Sequence, residues 1–176
     1  MPDDDVADRL EEVSLRLEGL GSLPRQPRAW LHLTVARLPQ FDDLGQAELT
    51  RLCDRIGAAL ERVPAFELQV GDARLEPTSV TCTGAPSTGW DALVAAVRGA
   101  AAGFDDRPLP PAPHAPHVTL AYATGAVDDA GVEARLAGSG PIGTVPVSRV
   151  HLVSVTVRPE VGTFDWTELA NWDLEG

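Results

Sequence analysis

The chain contains one short phrase twice: His32-Leu33-Thr34-Val35-Ala36 and His117-Val118-Thr119-Leu120-Ala121 both read His-apolar-Thr-apolar-Ala. Apolar residues alternating with short polar ones over this length predict a strand with one buried and one open face. A period of two sends His32, Thr34 and Ala36 to one face and Leu31, Leu33 and Val35 to the other. Likewise His117, Thr119 and Ala121 oppose Val118, Leu120 and Tyr122. Each strand then offers an imidazole beside a hydroxyl, next to a small residue that leaves room for a ligand. A lone histidine on a strand is more often structural than catalytic. With four His in the chain, however, chance yields on the order of 0.05 such tetrads. The plain alternative is a duplicated β unit whose polar positions bond one another and do no chemistry.

The rest of the chain alternates helical and strand patterns. Val6, Leu10, Val13 and Leu17 fall on one stripe of a helix over 4–20, with acids in its first turn and Gly19 and Gly21 at its end. The first tetrad strand covers 31–38. Asp42 or Asp43 is placed to cap a second helix that carries Leu49, Leu52, Cys53, Ile56, Leu60 and Val63 on one face and stops at Pro64. Phe66, Leu68 and Val70 alternate as a half-buried strand, and 80–83 reads as another, with Thr81 and Thr83 on one face. A helix follows over 90–102, then a turn at Asp105-Asp106 and a proline-rich stiff loop that delivers the second tetrad strand, 117–123. A short helix over 128–136 is capped by Asp128 or Asp129 and closed by Gly138. The last strong strand signal spans 145–157, and 163–168 adds a short edge strand. Helices alternating with strands, with few tight hairpins, favour an α+β fold over a sandwich.

Charge narrows the partners. Fourteen Lys plus Arg against 26 Asp plus Glu give a net charge of −12. All the basic residues are Arg. Non-specific nucleic-acid affinity needs clustered cations, so a long nucleic-acid tract is excluded as a partner while a short RNA end or small cyclic nucleotide is compatible. Cys53 and Cys82 have no Cys-x-x-Cys or ligand spacing and read as buried free thiols of a reducing compartment. The acidic start Met1-Pro2-Asp3-Asp4-Asp5 lacks a signal-peptide core, and no uncharged apolar run reaches the length of a membrane span. A cytoplasmic monomer without membrane contact is the expectation.

Paired imidazoles and hydroxyls suit hydrolysis of an ester, which needs a base for water, an acid for the leaving oxygen and donors to the oxygens on which charge develops. His32 and His117 supply the first two roles, because an imidazole near its ordinary pKa of about 6.5 works in either state. Thr34 and Thr119 supply the donors. Neither tetrad brings Asp, Glu or Cys at ligand spacing, so neither a metal nor a cofactor is expected. The near-symmetry of the tetrads leaves open which His is the acid. Trp30 shares the parity of His32 and is a candidate for stacking on a base. Arg28, Arg37 and Arg158 are candidate phosphate contacts, His114 reads as a loop residue and His151 as a core or hydrogen-bonded one.

The paired tetrads, the second introduced by Pro116 as Pro-His-Val-Thr-Leu, resemble the 2H phosphoesterase superfamily, in particular its 2'-5' RNA ligase and RNA 2',3'-cyclic phosphodiesterase branch. The resemblance implies a bilobal, pseudo-twofold fold: two antiparallel sheets flanked by helices, facing one another across a central cleft that holds both tetrads. Residues 1–176 would be a single domain of two lobes, each contributing one His-x-Thr strand. It further implies a metal-independent phosphodiesterase acting on 2',3'-cyclic phosphate RNA ends or small cyclic nucleotides, with 2'-5' RNA ligation as its reverse, and leans towards His117 as base and His32 as acid. The competing class is a non-catalytic member that binds a nucleotide or a protein in the cleft. Many relatives carry Arg after the second tetrad, where this chain has Ala121-Tyr122.

Overall fold

A computed structural model describes residues 4–39, 45–102, 104, 108–113 and 115–175. Among the described residues four α-helices, α1 (Asp4–Leu15), α2 (Gln46–Leu60), α3 (Thr88–Ala101) and α4 (Asp129–Leu136), accompany six strands. These are β1 (Phe66–Glu76), β2 (Ser79–Gly84), β3 (His117–Tyr122), β4 (Gly143–Val147), β5 (Arg149–Arg158) and β6 (Thr163–Asp173). The architecture is α+β with two antiparallel sheets, one of order β3-β2-β1-β4 and one a long β5-β6 hairpin.

The apolar stripes lie where their periods put them. Leu10, Val13 and Leu17 of the first segment, Leu52, Ile56 and Leu60 of α2, and Trp90 and Leu93 of α3 are buried with the inner face of the four-stranded sheet, Leu68, Val70, Val80, Cys82, Val118 and Leu120. Leu17 stays in the core although α1 ends at Leu15, because the chain winds on in tight turns to Gly19, whose φ of 80° only glycine adopts cheaply. The main-chain N–H of Gly131 donates to Asp128, so of the two expected caps Asp128 does the work. Asp42 and Asp43, the expected caps of α2, lie outside the described residues, as do Asp105-Asp106 and His114. At the start of α2 the Glu48 carboxylate accepts from the Gly45 N–H at 3.0 Å.

Three strand expectations change. The expected strand over 145–157 is two strands in different sheets: β4 pairs with β1, Ser148 is the corner, and β5 pairs with β6. Apolar residues continue through the corner although β5 is buried only at Val150, and such a pattern carries no information about which neighbour a strand chooses. The short edge strand at 163–168 is instead the 11-residue β6, paired along all of β5 with a bulge at Leu169. The third concerns 31–38, which forms no regular strand; its sole ladder contact among the described residues is an antiparallel bridge from Leu33 to Val118. Leu31 is nevertheless buried and Leu33 and Val35 pack against the core, but so does Ala36, which was expected on the open face: without a ladder the segment does not hold a strict period of two.

The hairpin makes one wall of the space above the first tetrad. At its base Trp172 packs so closely on α2 that a Cβ on Gly57 would sit 2.9 Å from the indole nitrogen. At its far end Gly162, at φ 64°, turns the chain, and its carbonyl accepts from the Gln26 side chain at 2.8 Å. Gln26 in turn donates its main-chain N–H to Leu120 of β3 at 2.7 Å. The hairpin thus arches from α2 to the outer edge of β3, with residues 31–38 running between.

Candidate active site

The bridge between Leu33 and Val118 joins the same position of the two tetrads. An antiparallel pair of equivalent residues has a local twofold axis between them, and its register sets His32 across from Thr119 and Thr34 across from His117. Extended one residue each way, that register would bring both imidazoles and both hydroxyls to one side. The two histidines are near enough that the charge of His117 acts on the His32 imidazole.

Each imidazole is oriented alike. Nδ1 of His32 meets the Trp30 carbonyl at 2.8 Å, and Nδ1 of His117 meets the Ala115 carbonyl at 3.0 Å. A carbonyl can only accept, so Nδ1 carries the proton and donates in both rings. That leaves Nε2 of each as the working nitrogen, able to take a proton when bare and to give one when charged. Burial pulls the His32 imidazole below its ordinary pKa, opposed by the Trp30 carbonyl and reinforced by the charge of His117.

Alternation within the second tetrad strand is broken. Thr119 pairs with Thr81 and Ala121 with Val80, which leaves Leu120 as an extra, bulged residue on β3. The parity argument therefore carries from His117 to Thr119 and stops before Ala121. Thr119 is buried, as is its cross-strand partner Thr81, whereas Thr34 is half-buried.

The other expected site residues scatter. Arg28 bonds the Asp8 carboxylate and pairs with Asp4 and Glu11, acids that α1 presents on one stripe, so its charge is taken up by the helix and not by the tetrads. Arg37 is exposed and pairs with no carboxylate among the described residues. Arg158 holds Asp165 at 2.7 Å across the hairpin. His151 is hydrogen-bonded, through Nδ1 to Glu168 at 2.6 Å. Trp30 stands edge-on to Trp166, ring centroids 4.7 Å apart. Cys53 is half-buried rather than buried, and burial pushes the Cys82 thiol up to about 12; both are free. Among the described residues no three His, Cys, Asp or Glu group as metal ligands, and no helix is long and apolar enough to cross a membrane.

Reading tetrads alone misses the aromatic surround. The rings of Phe164 and Trp166 each stand perpendicular to His32 at 5.2 Å and stack on one another at 5.7 Å. Tyr122, the residue after the second tetrad, approaches Phe164 at 6.3 Å from the β3 side. Their i, i+2 spacing on β6 was the available signal, but nothing local says which wall β6 forms.

The sequence pattern of the 2'-5' RNA ligase superfamily matches residues 2–158. Similar solved structures include the Thermus thermophilus protein TT0787, 19% identical with a TM-score of 0.74 over 100% of this chain and 94% of that one. Escherichia coli LigT complexed with 3'-AMP is 21% identical with a TM-score of 0.70, covering 99% and 94% of the two chains. The LigT complex with NADP+ gives 21%, 0.72, 100% and 95%. No curated protein matches the sequence.

Proposed function

Because the chain belongs to the 2'-5' RNA ligase superfamily, whose members are 2H phosphoesterases, we propose that it is a metal-independent 2H-type cyclic phosphodiesterase. Its substrates are 2',3'-cyclic phosphate RNA ends or small cyclic nucleotides, and 2'-5' ligation is the same ring opening with a 5'-hydroxyl in place of water. The observation that carries this reading is the bridge between equivalent tetrad positions, Leu33 and Val118, with a carbonyl-held imidazole beside each. The nucleotides that LigT is complexed with, 3'-AMP and NADP+, fit a small nucleotide ligand here too. Two free thiols fit a reducing, cytoplasmic setting.

In the proposed reaction, Nε2 of one imidazole takes a proton from water as its oxygen attacks phosphorus. The bond from phosphorus to one ribose oxygen breaks on the far side, and Nε2–H of the other imidazole delivers the proton to that oxygen. Thr34 and Thr119 donate to the non-bridging oxygens, where charge builds in the transition state. The net result is one water consumed and a ring-opened phosphomonoester, with the proton moved from one imidazole to the other. With the 5'-hydroxyl of a second RNA in place of water, the same ring opening forms a bond from phosphorus to the 5'-oxygen, breaks the bond to the ribose 3'-oxygen, which takes the proton, and gives a 2'-5' linkage.

A panel of 2',3'-cyclic nucleotides and short oligonucleotides ending in a cyclic phosphate, assayed in excess EDTA, tests the proposal. Turnover should persist with the chelator present. Strict dependence on an added divalent cation would refute the imidazole mechanism. Tight binding without turnover of any member would favour the non-catalytic class.

A further inference from the structure

We infer that Phe164 and Trp166 of β6 form a stacking shelf for the nucleobase of the substrate, on the His32 side of the cleft. The inference rests on the cyclic phosphodiesterase reading for its ligand and on the hairpin geometry for its place. Phe164 and Trp166 point to one face of β6, and their cross-strand partners Val157 and Val155 share that face. Those valines are 69% and 51% exposed, in a chain whose other large apolar side chains are mostly in the core. An apolar strip therefore runs outward from the imidazole of His32, first as two stacked rings and then as open valine surface. Apolar surface of this kind beside a polar reactive group marks a ligand site.

The geometry selects a nucleobase over other apolar groups. Both rings lie one imidazole away from the place where the phosphate sits, and in a 2',3'-cyclic nucleotide the base and the phosphate flank one ribose. The shelf presents flat π surface and, apart from the indole N–H of Trp166, no hydrogen-bonding group among the side chains of Phe164, Trp166, Val155 and Val157, so it recognises a base mainly by stacking. Trp30, the stacking candidate from sequence, meets Trp166 edge-on and acts as a buttress for the shelf. In a protein of net charge −12, stacking also supplies affinity that phosphate contacts alone would not.

The test compares kcat/KM for 2',3'-cyclic AMP with that for a baseless five-membered cyclic phosphodiester, glycerol 1,2-cyclic phosphate, in the unaltered protein and in Trp166→Leu, Trp166→Phe and Phe164→Leu. The unaltered protein should prefer the nucleotide. Trp166→Leu and Phe164→Leu should each shrink that preference roughly tenfold through KM, and Trp166→Phe should retain most of it. Equal losses on both substrates would overturn the inference and leave the rings as supports for His32. If neither substrate turns over, the function reading has failed but the shelf is still tested, by titrating 3'-AMP against tryptophan fluorescence. Weaker binding in Phe164→Leu, a variant that keeps every tryptophan, then supports the shelf, and unchanged binding refutes it.

Discussion

Replacing either His32 or His117 by Ala is expected to lower kcat/KM on a 2',3'-cyclic nucleotide by about 10²-fold or more, the scale of a lost general acid or base. The two losses should not multiply. Only a pair holding one proton completes the transfer, so once either imidazole is gone the other has little left to contribute. Thr34→Ala and Thr119→Ala should be milder, since each removes one donor to the phosphoryl oxygens. Thr119 carries an added risk: it is buried against Thr81, so its activity must be read per folded molecule. Steady-state kinetics on the four single variants and the double His variant check this. Full activity without either His would reduce the tetrads to a structural repeat.

The largest stability effect is expected from Leu120→Ala. Leu120 is the bulged residue between Thr119 and Ala121, and its side chain is 0% exposed. Its truncation leaves a cavity beneath the strand that carries the second tetrad, at a cost of about 2–5 kcal/mol. A domain of this size is stable by only about 5–15 kcal/mol, so the loss is a large fraction of the total. A urea titration should show the midpoint fall with the slope nearly unchanged. A change below about 0.5 kcal/mol, the range of neutral surface substitutions, would mean that Leu120 is not part of the core.

How far the sequence could be read follows from which distances matter. The helices over 46–60, 88–101 and 129–136 depend on neighbours within a turn, and local pattern carries them. The corner at Ser148, the full length of β6 and the bulge at Leu120 depend on which distant segment each strand meets. Alternation is the same on either side of a corner, and a bulge shows only when two strands are aligned. Segment 31–38 shows the converse. Its sequence alternates, yet burial does not follow and Leu33 supplies its sole ladder contact among the described residues, because the edge of β3 is already held by Arg25 and Gln26 at the other end and the intervening chain swings out through a 3-10 turn at Arg28–Trp30.

Among candidate site residues, the four tetrad side chains rest on a motif with a chemical reason behind it, and one bridge joins equivalent positions of the two tetrads, Leu33 and Val118. Arg28 is a candidate by its charge and its closeness in sequence to His32, but its fate is decided by Asp4, Asp8 and Glu11 on a helix that faces it. Trp30 is a candidate by parity, but its ring meets Trp166, more than a hundred residues away. Charge and parity are local properties; the partner that uses them is not.

The central claim is that two imidazoles share the proton work on one phosphate, and the pH dependence of hydrolysis with EDTA present tests it most directly. Burial and the neighbouring His117 charge both push His32 towards its neutral form, so in the free protein it gives up its proton at a lower pH than an ordinary imidazole. The profile of kcat/KM, which reports the free protein, should be a bell with one limb on the acid side of about 6.5. Bound phosphodiester carries negative charge and favours protonation of both rings, so the limbs of kcat should lie at higher pH than those of kcat/KM. A single-limbed or flat profile, or limbs that stay in place when His32 is replaced, would contradict the account.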